Sequence, residues 1–322
     1  MAILTIPSDD ELASFVAVYS LGPLVTARGI EAGTVNTSYA VEVDPGRRYF
    51  LRIYEEQDAA GAAREAIVLA HLADKGVPTP APLVAADGAS MRILAGKPAA
   101  LFPWVDGQML CQRAVTEGAA ETVGAALARI HLAGHAKGAV LDAGRFGPLE
   151  LAHRCERVAS SRDPDARALA SSLRDAVRDF AERRRADVPT GLVHGDLFRD
   201  NVLWAETSSG CYTIAALLDF ESAHDGPFVY DLAVTILSWS YGAEFDTKLA
   251  SAIVRGYRSV RELEATEREA LYDEAIFAAL RFTITRITDD AIRVGKRWQR
   301  FVERREAIER LGRRGFCEVL GL

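Results

Sequence analysis

The spacing of apolar residues changes along the chain and divides it into two unequal parts. Near the start, "NTSYAVEV" and "RYFLRIYE" alternate between apolar and polar positions on either side of an Asp-Pro-Gly turn, which predicts a β-hairpin. Farther along, apolar residues follow a helical period, most clearly in "TEGAAETVGAALARIHLAGH". The pattern therefore predicts an α+β chain in two lobes, a small antiparallel-sheet lobe followed by a larger, mainly helical one.

The first lobe is expected at 1–101 and is joined to the second, at 108–322, by a hinge at 102–107. Ser8 is an expected N-cap for a helix that ends at Gly22. A second helix is expected to end at Gly76, where a glycine is followed by three prolines. Three more strands are predicted, at "APLVAAD", "SMRILAG" and "PAALFPWVDG".

The second lobe contains one strand-rich island among its helices, from Leu192 to Phe220. We expect a single β-hairpin there, and almost continuous helix from Thr247 to Gly315. Arginines are frequent near the C-terminus, but glutamates recur every three residues and an apolar stripe runs through the segment. A solvated amphipathic helix explains this pattern better than a nucleic-acid-binding surface does.

Composition and charge narrow the classes of function. The chain has 322 residues and a formal net charge of −7, which argues against a dedicated nucleic-acid binder. Its four cysteines are far apart, and the N-terminus has neither the basic start nor the apolar run of a signal peptide. We expect a cytoplasmic protein, a monomer or homodimer, that binds small molecules and neither nucleic acid nor membrane.

Polar residues concentrate in the island, in "GLVHGDLFRDNVLW". The strand "NVLW" is expected to pair with the later "YTIAALLDF", which brings Asn201 and Asp219 to the same open end of a hairpin. Asp196 lies on the loop just before. Amide and carboxylate oxygens of this kind suit Mg²⁺, which proteins usually hold together with substrate phosphates.

The spacing of these residues points to phosphoryl transfer. His194, Asp196 and Asn201 match the His-x-Asp-x-x-x-x-Asn catalytic loop of kinases, and Asp219 precedes a phenylalanine as the metal-binding aspartate does there. Asp196 is then the catalytic residue that accepts or orients the substrate hydroxyl, and Asn201 and Asp219 are the metal ligands. Gly195, where protein kinases carry arginine, favours small-molecule kinases. The simpler alternative is that these side chains only cap turns.

Three blocks carry a resemblance to a known family: "GIEAGTVNTSYAVEV", "LVHGDLFRDNVLW" and "LRFTITRITD". They resemble the aminoglycoside phosphotransferase and choline kinase superfamily, and within it most closely the type II homoserine kinases. The resemblance implies a bilobal protein-kinase-like fold, ATP and Mg²⁺ as cofactors, and transfer of a phosphoryl group to an alcohol. It covers most of the chain.

The resemblance also assigns roles outside the island. Residues expected to bind the nucleotide are Gly33, Asn36, Arg52, Glu65, Phe102 and Trp104. Among them, Arg52 takes the place of the usual kinase lysine and pairs with Glu65 at the start of the next helix, while the hinge faces the adenine. His194 and Asp231 are expected to be structural supports of the catalytic loop. For Asp231, an ordinary helix N-cap is the alternative.

The acceptor is the least determined part of the site. Residues expected to bind it are Glu221, His224, Asp225, Tyr230 and Arg281, with Arg281 as a partner for a substrate carboxylate. Homoserine is the favoured acceptor, although Glu221 stands where the homoserine kinases tend to carry an aromatic residue. The alternative acceptors are another amino alcohol and an aminoglycoside. Two other functions also remain as alternatives: a metal-dependent hydrolase and a family member that binds a nucleotide without catalysis.

Overall fold

The computed structural model divides into two compact units, and the main boundary along the chain lies between Gly107 and Gln108. The described residues are 3–31, 35–44, 46–139, 141–206, 212–289 and 298–322. Two short segments, at 135–140 and 215–218, group with the first unit, which the sequence pattern did not predict. The role of 102–107 as a hinge stays a prediction, and the last strand of the first unit already includes Phe102 and Pro103.

The first unit contains a five-stranded antiparallel sheet. Its strands are β1 (Thr26–Ile30), β2 (Thr37–Asp44), β3 (Arg47–Ile53), β4 (Arg92–Leu94) and β5 (Lys97–Pro103), in the order β1-β2-β3-β5-β4. The predicted hairpin is β2–β3, and its alternation places Val41, Leu51 and Ile53 on the buried face. This apolar face is the reason that the register is well determined.

One of the predicted strands is absent. The segment "APLVAAD" forms no strand, although Leu83 donates one backbone hydrogen bond to the Leu101 carbonyl at 2.7 Å. Pro80 and Pro82 have no backbone N–H, so this segment cannot form a regular ladder.

Two helices accompany the sheet, α1 (Asp9–Ala17) and α2 (Ala59–Asp74). Ser8 caps α1 as predicted, in a reciprocal capping box with Glu11. The helix ends at Ala17 rather than at the predicted Gly22, because the chain turns at Ser20, whose φ is 55°. Leu12, Phe15 and Val16 of α1 are buried in the same apolar core as the sheet.

The second unit is mainly helical, as predicted. Its helices are α3 (Glu117–Ala133), α4 (Pro148–Ala159), α5 (Pro164–Arg183), α6 (Phe228–Trp239), α7 (Thr247–Arg258), α8 (Ala265–Thr288) and α9 (Gln299–Leu320). The sequence analysis did not predict α4. The helices α7 to α9 confirm the helical pattern after Thr247, although residues 290–297 lie outside the described residues. Within the described ranges, no helix is long and apolar enough to cross a membrane.

The strand-rich island contains two small sheets instead of one hairpin. β7 (Val202–Glu206) pairs with β8 (Tyr212–Leu217) as predicted. β6 (Thr190–Val193) pairs antiparallel with β9 (His224–Pro227), which was not predicted. The sequence of β9, His-Asp-Gly-Pro, has low strand propensity, so the pairing partner rather than local preference determines its conformation.

Two glycines allow α3 and α7 to pack backbone against backbone. A Cβ atom on Gly124 would lie 2.0 Å from the Ile253 carbonyl oxygen, and one on Gly256 would lie 1.8 Å from the Glu121 carbonyl oxygen. Both obstacles are backbone atoms inside regular helices, which cannot move aside as a flexible side chain does. The close crossing of these helices therefore requires both glycines.

We predict that Gly256→Ala lowers the free energy of unfolding by about 1–3 kcal/mol, the usual cost of overpacking a core. Gly118→Ala is the matched control, since its Cβ would meet only the Thr116 hydroxyl, at 3.9 Å. The control should be neutral or stabilising because alanine is the better helix former. Urea unfolding of both variants measures the difference, and equal stabilities would contradict the proposed role of Gly256.

Candidate active site

The loop that carries Asp196 begins where β6 ends, and Gly195 determines its first turn. Gly195 has a φ of +75°, and a Cβ there would lie 2.7 Å from the Ser222 carbonyl oxygen and 3.2 Å from the His224 ring. Any larger residue would thus be strained by its backbone and blocked by its neighbours. The glycine that the sequence analysis took as a mark of small-molecule kinases is a steric requirement of this loop.

The side chain of Asp231 binds the backbone of this loop. Its carboxylate accepts hydrogen bonds from the backbone N–H of His194 at 2.7 Å and of Gly195 at 2.8 Å. Asp231 is fully buried in the first turn of α6, and the N-cap of that helix is Pro227. The alternative that Asp231 is merely an N-cap is therefore wrong, and the residue contacts the loop as the resemblance implied.

A third hydrogen bond to Asp231 comes from His131 on α3. His131 Nε2 lies 3.1 Å from the carboxylate, and both side chains are fully buried. Burial by itself raises the pKa of Asp231, but the hydrogen bonds from His131 and from the His194 backbone outweigh it, so the pKa lies below its ordinary value. The aspartate is thus an anion that accepts three donors.

The other ring nitrogen of His131 contacts a second group of buried residues. Its Nδ1 lies 2.7 Å from the Tyr257 hydroxyl, which accepts a hydrogen bond from Arg261 at 3.0 Å. Arg261 is bidentate with Glu267, at 2.9 Å to each carboxylate oxygen. The loop is thereby connected through side chains of α6, α3 and α7 to the start of α8. Sequence analysis missed this role of His131, since a histidine on an apolar helix face gives no further signal.

The far end of α6 holds the same loop. The Leu197 carbonyl accepts hydrogen bonds from the Ser238 hydroxyl at 3.0 Å and from Trp239 Nε1 at 2.9 Å. Arg199 donates to the Ser238 carbonyl at 2.7 Å and contacts the Gln112 side chain. These contacts make Arg199 part of the support of the loop.

His194 is a support and is fully buried, tilted against the ring of Phe220 with centroids 4.4 Å apart. Its Nδ1 accepts a hydrogen bond from the Asp196 backbone N–H at 3.3 Å. A ring nitrogen that accepts a hydrogen bond carries no proton itself. His194 therefore shapes the turn that precedes the Asp196 carboxylate.

Asn201 and Asp219, the predicted metal ligands, carry oxygen atoms that suit the role. The Asn201 side-chain nitrogen donates to the Asp196 carbonyl at 2.8 Å, which leaves the amide oxygen as the acceptor end of the group. Asp219 follows β8 in a left-handed conformation, with a φ of 64° that few residues other than Asn and Asp adopt. An amide oxygen and a carboxylate fit Mg²⁺. The part of the chain that the structure describes contains no cluster of three His, Cys, Asp or Glu side chains suited to a metal.

Arg281 of α8 contacts the candidate catalytic residue directly. Its Nη1 lies 3.2 Å from Asp196 Oδ1, and its side chain is only 5% exposed. The guanidinium lies over the Phe282 ring at 3.8 Å and over the Phe146 ring at 4.4 Å. Arg281 Nε is buried and has no hydrogen-bond partner in the described residues. The site thus contains a cation whose orientation is fixed and whose donors are only partly used.

The other residues expected to bind the acceptor have varied surroundings. His224 lies against the catalytic loop, and its Nδ1 is 2.8 Å from the Ser222 carbonyl. Tyr230 is buried, which raises the pKa of its phenol to about 12 and keeps it protonated. Glu221 is half-buried in the 3₁₀ turn after Asp219, and Asp225 pairs with Leu192 in the β6–β9 sheet. Their contact with an acceptor remains a prediction.

The residues expected to bind the nucleotide lie in the first unit. Arg52 and Glu65 form the expected ion pair at 3.1 Å, with Glu65 almost fully buried in the second turn of α2 rather than at its start. Asn36 accepts a hydrogen bond from the Glu55 backbone N–H at 3.1 Å, beside β2. Gly33 lies outside the described residues.

The expected adenine-facing residues differ from each other. Phe102 is buried in β5 opposite Phe50, so its side chain belongs to the sheet. Trp104 follows the strand, donates to Asp106 at 3.0 Å and lies under the guanidinium of Arg48. A role for either residue in nucleotide binding stays a prediction.

The chain matches a known family and curated relatives over most of its length. Residues 26–272 match the model of the phosphotransferase enzyme family. The chain is similar to the homoserine kinase of Hyphomonas neptunium, with 35% identity over 311 residues that cover 90% of this chain and 89% of that protein. It is also similar to the homoserine kinase of Paramagnetospirillum magneticum, with 34% identity over 297 residues and the same coverage.

Solved structures show the same fold at lower sequence identity. An amicoumacin kinase in complex with AMP-PNP and Ca²⁺ is 16% identical, with a TM-score of 0.71 over 95% of this chain and 94% of that one. A microcompartment-associated aminopropanol kinase is 20% identical, with a TM-score of 0.65 over 96% of this chain and 95% of that one. These matches confirm the predicted fold class.

We predict a pH dependence of stability that originates in His131. Burial lowers its pKa below the ordinary 6.5, although the bond to Asp231 acts in the opposite direction. The folded chain then binds this proton less readily than the unfolded chain does. The contribution of His131 is complete above the unfolded pKa and is lost as the pH falls through the folded one.

Urea unfolding at about pH 7.5 and about pH 5.5 tests this prediction. The stability lost between the two pH values should be smaller in His131→Gln, which keeps a donor but cannot titrate. His153→Gln, on the exposed side of α4, is the control and should behave as the wild type. An identical loss in all three proteins would show that His131 does not cause the dependence.

Proposed function

Because this chain belongs to the phosphotransferase enzyme family, we propose that it is an ATP- and magnesium-dependent kinase that phosphorylates the side-chain hydroxyl of homoserine. The observation that carries the proposal is the contact between Asp196 and Arg281, which joins a hydroxyl acceptor to a buried cation. The first group suits the alcohol of homoserine and the second suits its carboxylate. Both groups belong to the second unit.

Asp196 is the residue that receives the hydroxyl. Its carboxylate accepts the hydroxyl proton or orients the oxygen for attack on the γ-phosphorus, and the bond between that phosphorus and the bridging oxygen of ADP breaks. Little covalent work is required of the protein, so the rigidity of the loop matters most. Asp231, Ser238 and Trp239 supply that rigidity through the backbone contacts described above.

Asn201 and Asp219 would hold the magnesium ion, which when bound neutralises charge on the nucleotide phosphates. The hydrogen bond from Asn201 to the Asp196 carbonyl ties this ligand to the catalytic residue. In the first unit, Arg52 would contact the nucleotide phosphates, with Glu65 orienting its guanidinium. Arginine suits this role because its planar fork binds two phosphate oxygens at once.

Arg281 favours homoserine over simpler amino alcohols. Ethanolamine and aminopropanol kinases are among the proteins with this fold, and neither of the acceptors in their names has a carboxylate. A buried arginine with unsatisfied donors beside the hydroxyl site is costly unless an anion completes it. Homoserine supplies that anion, and Glu221 or Asp225 would hold its ammonium group.

The proposal is tested by measuring ADP and phosphohomoserine formation with a panel of acceptors. We expect turnover with homoserine, and much weaker turnover with ethanolamine, aminopropanol and an aminoglycoside. Turnover with one of these and none with homoserine would contradict the acceptor assignment. Phosphate release that is independent of any acceptor would identify a hydrolase instead.

Asp196→Asn should lower kcat by about 10²–10⁴ while ATP binding is retained, because the amide cannot accept the hydroxyl proton. Equilibrium binding of ATP and single-turnover phosphoryl transfer separate the two effects. Asp200→Asn, exposed on the same loop, is the matched control. Full activity of Asp196→Asn would remove this residue from its role.

Arg281→Met should reduce kcat/KM for homoserine by about 10–150-fold, the value of a hydrogen bond to a charged group. The loss for aminopropanol should be smaller, because that acceptor makes no carboxylate contact. The ratio of the two losses is the decisive quantity, since any general damage to Asp196 affects both acceptors equally. Arg268→Met, exposed near the start of α8, should leave both unchanged.

A further inference from the structure

Arg304, in the second turn of α9, is a buried cation that has no carboxylate partner within the part of the chain that the structure describes. The residue is 7% exposed, and its Nε and Nη1 atoms are buried without a hydrogen-bond partner among the described residues. No described carboxylate forms an ion pair with it. A charged group in this condition costs several kcal/mol unless a counter-ion completes it.

The other shielded arginines of the chain show how unusual this is. Four of them have a carboxylate within ion-pair distance, and Arg199 bonds to the Ser238 carbonyl instead; the pairs are Arg52 with Glu65, Arg184 with Glu274, Arg261 with Glu267 and Arg281 with Asp196. The protein therefore provides a carboxylate for its arginines as a rule. Arg304 departs from that rule at a buried position, where the cost of an unpaired charge is greatest.

Aromatic rings contact the Arg304 guanidinium and leave two of its buried nitrogens without a hydrogen-bond partner among the described residues. Its carbon lies 4.5 Å from the Phe301 ring centroid and 5.4 Å from that of Tyr241. Rings at these distances contact the π-face of a guanidinium and use none of its N–H donors. Nε and Nη1 lie on different sides of the guanidinium, and each keeps a hydrogen that an anionic oxygen can accept.

The surroundings of Arg304 add further positive charge. Burial, and then the nearby charges of Arg199, Arg300 and Arg286, lower the pKa of Arg304 to about 10. We call these four residues the Arg304 cluster. Arg199 already bonds to the Ser238 carbonyl, so its contribution is its charge rather than a free donor. Several cations around a guanidinium that no described carboxylate neutralises favour a doubly charged anion over a singly charged one.

We propose that the Arg304 cluster is a binding site for a phosphate group, supplied either by inorganic phosphate or by a phosphomonoester. Phosphate oxygens accept hydrogens that the Arg304 guanidinium leaves unused, and the neighbouring arginines offset the second negative charge. This site is separate from the roles assigned to Asp196 and Arg281, and its existence does not depend on which acceptor the enzyme uses.

The position of the cluster connects it to the catalytic loop. Phe301 stacks on Phe282, with centroids 5.0 Å apart, and meets Phe198 of the catalytic loop edge-on at 6.3 Å. Phe282 is the ring over which Arg281 lies. An anion bound at Arg304 therefore stabilises the packing of α9 against the loop that carries Asp196.

The test is binding of inorganic phosphate and of O-phosphoserine to the full chain, without nucleotide or acceptor, by calorimetry and thermal unfolding. Sodium chloride at matched ionic strength is the reference for non-specific salt effects. We expect saturable binding and a rise in Tm that chloride does not produce. Whichever of the two probes binds more tightly identifies the source of the phosphate group.

Three variants make the result specific. Arg304→Met should weaken phosphate binding at least tenfold and abolish the rise in Tm, while the unliganded variant remains folded because an unpaired charge has been removed. Arg304→Lys keeps the positive charge but loses the planar guanidinium with its several N–H donors. Its affinity for phosphate should lie between those of the wild type and Arg304→Met. Arg310→Met removes an exposed arginine from the same helix and should bind as the wild type.

Two results would overturn the proposal. One is a wild-type protein whose calorimetric signal and Tm respond to both probes no more than to chloride. The other is an Arg304→Met variant that binds phosphate as tightly as Arg310→Met does. Neither result would bear on homoserine phosphorylation, because the measurements contain no ATP and no acceptor.

Discussion

The buried carboxylate of Asp231 is the group on which the catalytic loop depends. Two backbone N–H groups of the loop point into the protein at His194 and Gly195, where water cannot satisfy them. A single anion accepts both and is itself held by His131. Removing that anion would leave three donors buried without an acceptor. The same carboxylate therefore determines both the geometry of the loop and part of the stability of the second unit.

The chemical residues are attached to this support without being part of it. Asp196 follows the two supported amides, and Asn201 is tied to the Asp196 carbonyl. Gly195 is needed because the turn has a positive φ and the space above it is filled by His224. Rigid placement of the proposed hydroxyl acceptor and metal ligands is what phosphoryl transfer requires, since the protein contributes positioning and charge rather than a covalent intermediate.

The pairing of the buried arginines in the second unit is the basis for the ligand sites that we propose. Arg261 contacts both carboxylate oxygens of Glu267 through its Nη1 and lies among structural contacts. Arg281 is paired on one side only and retains donors beside Asp196, which suits an acceptor with a carboxylate. Arg304 has no carboxylate partner among the described residues and is proposed to hold a phosphate group. The three arginines differ in how many of their N–H donors have partners within the protein. We use that difference to distinguish a structural arginine from the two that are proposed to bind ligands.

The sequence by itself determined the order of a sheet-rich part and a helical part, most helices, the β2–β3 hairpin and the proposed set of site residues. Asp196, Asn201 and Asp219 are close in the chain, and their spacing follows from the chemistry. Contacts between distant residues depended on packing: Asp231 meets His131 across 100 residues, and Arg281 meets Asp196 across 85. A helical arginine looks the same in a sequence whether it is exposed, paired or alone, because only tertiary structure decides what surrounds it.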